Sequence, residues 1–281
     1  MNANMILSED CLADIEFILS KRFDNGADLW TTPDHQLNIG GPFSTLESAV
    51  LLTELGMSPT EPVLQNVAAL IFNCLRDDGR FKLSPRGASY PCHTIHALNV
   101  LCHLGYAEDK RLQKTFQYLL DTQYQDGGWR CNKFSFGRGP ETEYSNPGPT
   151  LAALDAFRMS NYINRESKLD QAVEFLLNHW ILRVPIGPCH YGIGTLFMQV
   201  EYPFLTYNLF NYVYVLSFYN RAKSDERFLD ALSVLESKTN AGKIVVERIN
   251  RKLSALKSCE KNKDSALGTK RYLEIKNNII L

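Results

Sequence analysis

An amphipathic helical pattern recurs about every 50 residues, and this recurrence constrains the architecture more than any other feature of the chain. The stretch Leu112-Gln113-Lys114-Thr115-Phe116-Gln117-Tyr118-Leu119-Leu120 is followed by Asp126-Gly127-Gly128-Trp129. Shifted back by 48, Leu64, Val67, Ala68, Ile71 and Phe72 fall on the same apolar positions, and Asp78-Gly79-Arg80-Phe81 falls on Asp-Gly-Gly-Trp. Leu169, Ala172, Val173, Leu176 and Leu177 repeat the pattern downstream, as do Phe228, Ala231, Leu232 and Leu235. Upstream, Leu12, Ile15, Ile18 and Leu19 repeat it, ending at Trp30. Apolar residues spaced i, i+3, i+4, i+7 and i+8 mark helices with one buried face.

A second helix series alternates with the first, over residues 43–56, 91–105, 149–159 and 204–219, with a weaker member near 251–258. Pro42, Pro91, Pro149 and Pro203 suit helix starts, while Gly56 and Gly105 suit helix ends. Phe204 to Tyr219 contains no charged residue, and a helix apolar all round belongs in an interior. The expected fold is therefore all-α: a single domain over residues 1–281, with the polar series as outer ring and the second series as inner ring. Five to six helix pairs closing into an α/α barrel (toroid) remove the open ends that a solenoid must cap.

Composition narrows function mainly by exclusion. The chain has 281 residues with a formal net charge of −1, which gives no general attraction to nucleic acid or to anionic membranes. No apolar run reaches the roughly 18 residues needed to span a bilayer, and Met1-Asn2-Ala3-Asn4-Met5 has no basic and apolar signal pattern. Seven cysteines scattered over this length read as reduced thiols of a cytoplasmic protein. From Lys243 to Lys276 there are ten Lys/Arg and four Asp/Glu, a local +6 against −7 elsewhere. Leu267, Tyr272 and Ile275 restore helical spacing there, so the basic segment 243–281 is expected to be a helical strap closing the barrel.

Gln123-Tyr124-Gln125-Asp126-Gly127-Gly128-Trp129 resembles the Gln/Trp repeat of squalene and hopene cyclases and its counterpart in protein prenyltransferase β-subunits. The resemblance runs from about residue 10 to 245 and implies a divergent, short, bacterial-type member of that superfamily with an α/α toroid fold. The motif itself is structural: a tight glycine turn and an aromatic wedged between outer helices. The stretch Arg130-Cys131-Asn132-Lys133 is similar to the diphosphate-contacting stretch of the β-subunits, and Tyr144-Ser145 matches a Tyr-Ser pair that there follows Asp and Cys zinc ligands. Glu141 and Glu143 stand at those ligand positions here, and Leu205 at that of the family's histidine. The acidic motifs of proton-initiated cyclases (Asp-x-Asp-Asp) and of metal-dependent synthases (Asp-Asp-x-x-Asp) do not occur.

Loop lengths place the function. Connections from outer to inner helix, at 30–42, 79–91, 130–148 and 183–203, are long, while the returning ones are short. Alternation brings all the long loops to one rim, where a rigid scaffold carries its chemistry. His35, Cys92, His93, Cys131, Cys189 and His190 lie in or beside these loops, with His96 one turn beyond Cys92 and His179 near the end of an outer helix. Thiolate and imidazole suit zinc, and the expected ligands are Cys92 and Cys131 with a third from His179, Cys189 or His190. The alternative is a set of separate core thiols and histidines. The loops also carry Arg80, Lys82, Arg86, Arg130, Lys133, Arg138 and Arg183, which suit an anionic group.

The aromatics Tyr207, Phe210 and Tyr214 share a face of one inner helix and either stabilise a cation or fill the barrel. Together these features predict an enzyme of prenyltransferase or terpene-cyclase type that holds an apolar or prenyl small molecule with an anionic head, through Arg130, Lys133, Arg138, Tyr144, Tyr207, Phe210 and Tyr214. The competing reading is a non-catalytic ligand- or protein-binding toroid. A third is zinc-dependent thiol chemistry of the lanthionine-cyclase type, whose Trp-Cys pair and Cys-His-Gly run are echoed by Trp129-Arg130-Cys131 and Cys189-His190-Tyr191-Gly192.

Overall fold

The computed structural model describes residues 8–131 and 134–280. The opening residues 1–7, Asn132, Leu281 and Lys133, one of the expected anion contacts, lie outside them. The fold is mostly helical. Its helices are α1 (Glu9–Ser20), α2 (Thr45–Glu54), α3 (Pro62–Phe72), α4 (Pro91–His103), α5 (Gln113–Asp121), α6 (Pro147–Phe157), α7 (Ser167–Leu182), α8 (Leu209–Leu216), α9 (Asn220–Lys223), α10 (Glu226–Glu236) and α11 (Ala266–Ile280).

Burial separates the two expected series. In α5, Thr115, Phe116, Leu119 and Leu120 face inward while the opposite side meets solvent. In α8, every residue from Leu209 to Leu216 is buried. The helices α2, α4, α6 and α8 pack one against the next, and α3, α5, α7 and α10 lie against them. Charged faces outside and apolar surfaces inside follow from the free energy of removing apolar area from water.

The aromatic turns do what the pattern implies. Trp129 is 1% exposed, and its indole N–H donates to the Leu119 carbonyl at 2.8 Å. Gly127 has a φ of +92°, and a Cβ there would lie 2.4 Å from the Gln171 carbonyl oxygen on α7. Gln123 Nε2 crosses to the same helix, donating to the Lys168 carbonyl at 2.7 Å. One segment earlier, Gly79 has a φ of +83° and a Cβ would lie 2.5 Å from the Lys114 carbonyl oxygen on α5. The backbone N–H groups of Phe81 and Trp129 each donate to a threonine hydroxyl, Thr94 and Thr150, at 3.1 Å. Phe81 and Trp129 thus occupy matching niches.

Residues 239–249 depart from the helical expectation. Strands β1 (Glu201–Tyr202) and β4 (Arg248–Ile249) pair in parallel, and β2 (Thr239–Asn240) and β3 (Lys243–Ile244) form a hairpin. Ala241 and Gly242, with φ of +47° and +78°, supply the two left-handed residues that such a tight hairpin needs. The weak inner helix expected near 251–258 is only a 3₁₀ turn at Arg251–Leu253. Helix α11 instead lies beside α8. It also reaches α2, where Arg271 pairs with Glu54 at 2.9 Å.

Candidate functional site

A cleft of about 480 Å³ opens where the amino ends of α2, α4 and α6 meet. Local sequence explains the arrangement. Pro91 and Pro147 occupy first-turn positions, where a missing N–H costs no hydrogen bond, and Ser44 caps α2 by accepting the Glu47 N–H at 3.2 Å. The long loops therefore end at this rim, and their side chains line it.

Three thiols converge there. Cys92 lies in the first turn of α4, Cys131 follows the Trp129 turn, and Cys189 belongs to the loop after α7; all three line the cleft. The Sγ atoms of Cys92 and Cys131 are 2.6 Å apart. Asn146, fully buried, ties the other two strands of the cluster: its Nδ2 donates to the Cys131 carbonyl at 3.1 Å and its Oδ1 accepts the Cys189 N–H at 2.9 Å. Burial, followed by the neighbouring Cys131 sulfur, pushes the Cys189 thiol above its ordinary pKa.

Acid–base groups line the same cleft. His96 lies four residues after Cys92, so the two share a face of α4, and its Nε2 is 3.2 Å from Glu47 Oε1 on α2. Burial opposes ionisation of Glu47, yet the His96 hydrogen bond and charge hold its carboxyl below the usual range. Glu201 is paired with Arg248 at 2.7 Å and accepts from the Thr206 hydroxyl at 3.0 Å. Burial, then the charges of Cys189, Cys92 and Cys131, push the Tyr191 phenol up to about 12, so it stays protonated at neutral pH. Its ring packs on Gly148, where a Cβ would lie 2.4 Å from the ring.

Each expected residue has a definite place. His179 is held by Tyr207, whose hydroxyl is 2.7 Å from Nδ1, while Nε2 donates to the Val184 carbonyl at 3.0 Å. Both ring nitrogens are thus engaged, and burial lowers the imidazole pKa. His190 Nε2 is 3.3 Å from Glu141 on the opposite side of the 130–148 loop. Of the three alternatives for the third sulfur or nitrogen donor, only Cys189 lines the cleft. Phe210 is fully buried against Phe204, and Tyr214 turns to Glu274, its hydroxyl donating at 2.8 Å; neither borders the cleft. Arg130 donates to the Thr142 carbonyl at 2.8 Å and lies over the Tyr124 ring. Arg138 and Tyr144 are exposed.

Sequence reasoning missed Glu47 and Asn146, and gave no role to Glu201, one acid of the long loops, or to Tyr191 of the Cys189-His190-Tyr191-Gly192 run. The one local signal was Asn146-Pro147 at a helix start, where an Asn side chain commonly bonds to nearby backbone. Among the described residues no group of three or more His, Cys, Asp and Glu is already arranged to hold a metal ion. Compared with known protein families the chain matches none, and it matches no curated protein.

Proposed function

We propose that the helices close into an α/α toroid and that its long-loop rim is a thiol-based enzyme site for a soft metal ion, zinc, held by Cys92, Cys131 and Cys189. The observation that supports this is the meeting of three thiols, one from the first turn of α4 and two from separate loops, in one open cleft. Closure of the ring is supported by α11, which touches α8 and reaches Glu54 of α2 through Arg271.

The donor types suit zinc, which binds thiolate strongly. Tetrahedral bonds of about 2.3 Å set sulfurs about 3.8 Å apart, so Cys92 and Cys131 must separate from 2.6 Å. Zinc in such a site supplies a Lewis acid or stabilises a reactive thiolate. The chain's own groups supply the rest: His96, oriented by Glu47, takes or returns a proton, and the Tyr191 hydroxyl donates a hydrogen bond. Glu47, whose carboxyl is held ionised, further favours a cation at the rim. Elemental analysis of untagged protein tests the reading. About one zinc per chain is expected, falling in Cys92→Ser, Cys131→Ser and Cys189→Ser but not in His179→Ala or His190→Ala; less than about a tenth of an equivalent in the wild type sinks it.

A prenyl or other apolar small-molecule ligand is a second reading of the same cleft. It is supported by Phe134 and Phe136, which are 53% and 69% exposed and stack at 5.9 Å beside the opening. Farnesyl diphosphate should then raise the melting temperature by linkage, and Phe134→Ser with Phe136→Ser should remove that rise. No shift in the wild type would leave the thiol site without a prenyl ligand.

A further inference from the structure

We infer that Cys92 and Cys131 are a reversible dithiol–disulfide couple, so that oxidation by a small-molecule disulfide switches off the metal site. The inference rests on the thiol site proposed above and names its regulation.

Geometry brings the pair to the threshold of bonding. Their sulfurs are in direct contact, so a covalent S–S bond of about 2.05 Å needs only a small approach. A tetrahedral ion needs them to move the other way, to about 3.8 Å. The two states exclude each other, since a disulfide leaves no thiolate on either residue. Both sulfurs are mounted on firm supports: Cys92 on the first turn of α4, and Cys131 between the buried Trp129 and the Asn146 side chain that binds its carbonyl. A pair already held in contact gives up little chain entropy on closing a 39-residue separation.

Access sets the order of events. Both sulfurs border the open cleft, but Cys92 is half-buried whereas Cys131 is only 2% exposed. Cys92, as its thiolate, attacks one sulfur of glutathione disulfide. A mixed disulfide forms at Cys92 and one glutathione leaves with its electron pair and takes up a proton. The Cys131 thiolate then attacks Cys92 Sγ, forming Cys92–Cys131 and releasing the second glutathione. Two protein thiols are oxidised, one disulfide is reduced to two thiols, and the reverse sequence restores the site. Cys102 and Cys259 are buried away from this cleft, and burial raises both thiol pKa values, so they do not compete.

The test treats the reduced full-length chain, with and without added zinc, with glutathione disulfide, followed by alkylation and peptide mass spectrometry. Zinc-free protein should fall from seven titratable thiols to five, with Cys92 and Cys131 in one linked peptide pair, and dithiothreitol should reverse the change. Cys131→Ser should instead accumulate glutathione on Cys92. Bound zinc should slow bridging at least tenfold and leave as the bridge forms. Linkage of Cys131 to Cys189, or seven thiols surviving in zinc-free wild type, overturns the inference. A Cys92–Cys131 bridge in a chain that never binds zinc sustains the couple while removing the metal reading, so the two fail separately.

Discussion

The N–H of Cys189 is held 2.9 Å from Oδ1 of Asn146, and the same carboxamide donates to the Cys131 carbonyl. One side chain at the head of α6 thereby sets the spacing between two loops that are 58 residues apart. Gly187 lets the 183–203 loop come this close, because a Cβ there would lie 2.6 Å from Asn146 Oδ1.

Asn146→Ala should therefore loosen the thiol cluster without removing a thiol. The part-buried Cys189 N–H loses its partner and the Cys131 carbonyl keeps only the 3.9 Å contact from Cys189 Sγ, which costs roughly 1–3 kcal/mol. Iodoacetamide should modify Cys131 and Cys189 faster than in wild type, while Cys102 is unchanged. Equal rates at all three would show that the loops are held by other contacts.

The aromatic turn should prove structural in a graded way. Trp129→Ala removes a fully packed indole and should cost roughly 3–5 kcal/mol in urea unfolding. Gly127→Ala should cost more than Gly105→Ala. Both positions have positive φ, but a Cβ at Gly127 strikes the α7 backbone and one at Gly105 meets nothing within 4 Å. Equal losses at the two glycines would mean that helix contact does not decide the turn.

A buried polar cluster at the other ends of α4 and α6 should set the acid limit of stability. Asp155 is 2.6 Å from Arg158 and 2.8 Å from both His103 and Asn99. Burial works against its charge, but Arg158 and His103 outweigh it and hold the carboxyl well below the ordinary range. A depressed folded pKa gives stability that is present above the unfolded value near 3.9 and lost as pH falls from there towards the folded pKa. Asp155→Asn strands Arg158 and should cost roughly 3–5 kcal/mol at pH 7. That deficit should shrink below about pH 4. A deficit independent of pH would show that packing, not charge, is what Asp155 supplies.

Much of this organisation was legible because helical spacing is a one-dimensional signal. The positions of Cys92 and Cys131, one opening an inner helix and the other closing the next aromatic turn, could be brought together by counting alone. The third donor could not be chosen that way. In the sequence His179 and Cys189 are equivalent; what separates them is Tyr207, 28 residues from His179, whose hydroxyl is bonded to the imidazole ring. The inner helix expected over 204–219 begins only at Leu209, so Tyr207 stands before α8 and does not share a helical face with Phe210 and Tyr214. In a helix buried on every side, a shared face does not distinguish cavity from core. The strands at 201–202 and 248–249 escaped notice because two residues carry no readable alternation.

The contacts of residues 250–280 bear on how the chain is made. Asp14 of α1 accepts the N–H groups of Lys257 and Ser258 at 2.8 Å, and Arg271 of α11 closes on Glu54. Helices α1 and α2 therefore complete these contacts only with segments more than 200 residues further along the chain. While a ribosome is still translating this stretch, the flanks of α2 and α8 that α11 covers remain bare, and such surfaces invite association between nascent chains. A chain stalled before residue 266 lacks this cover and should be driven to chaperones.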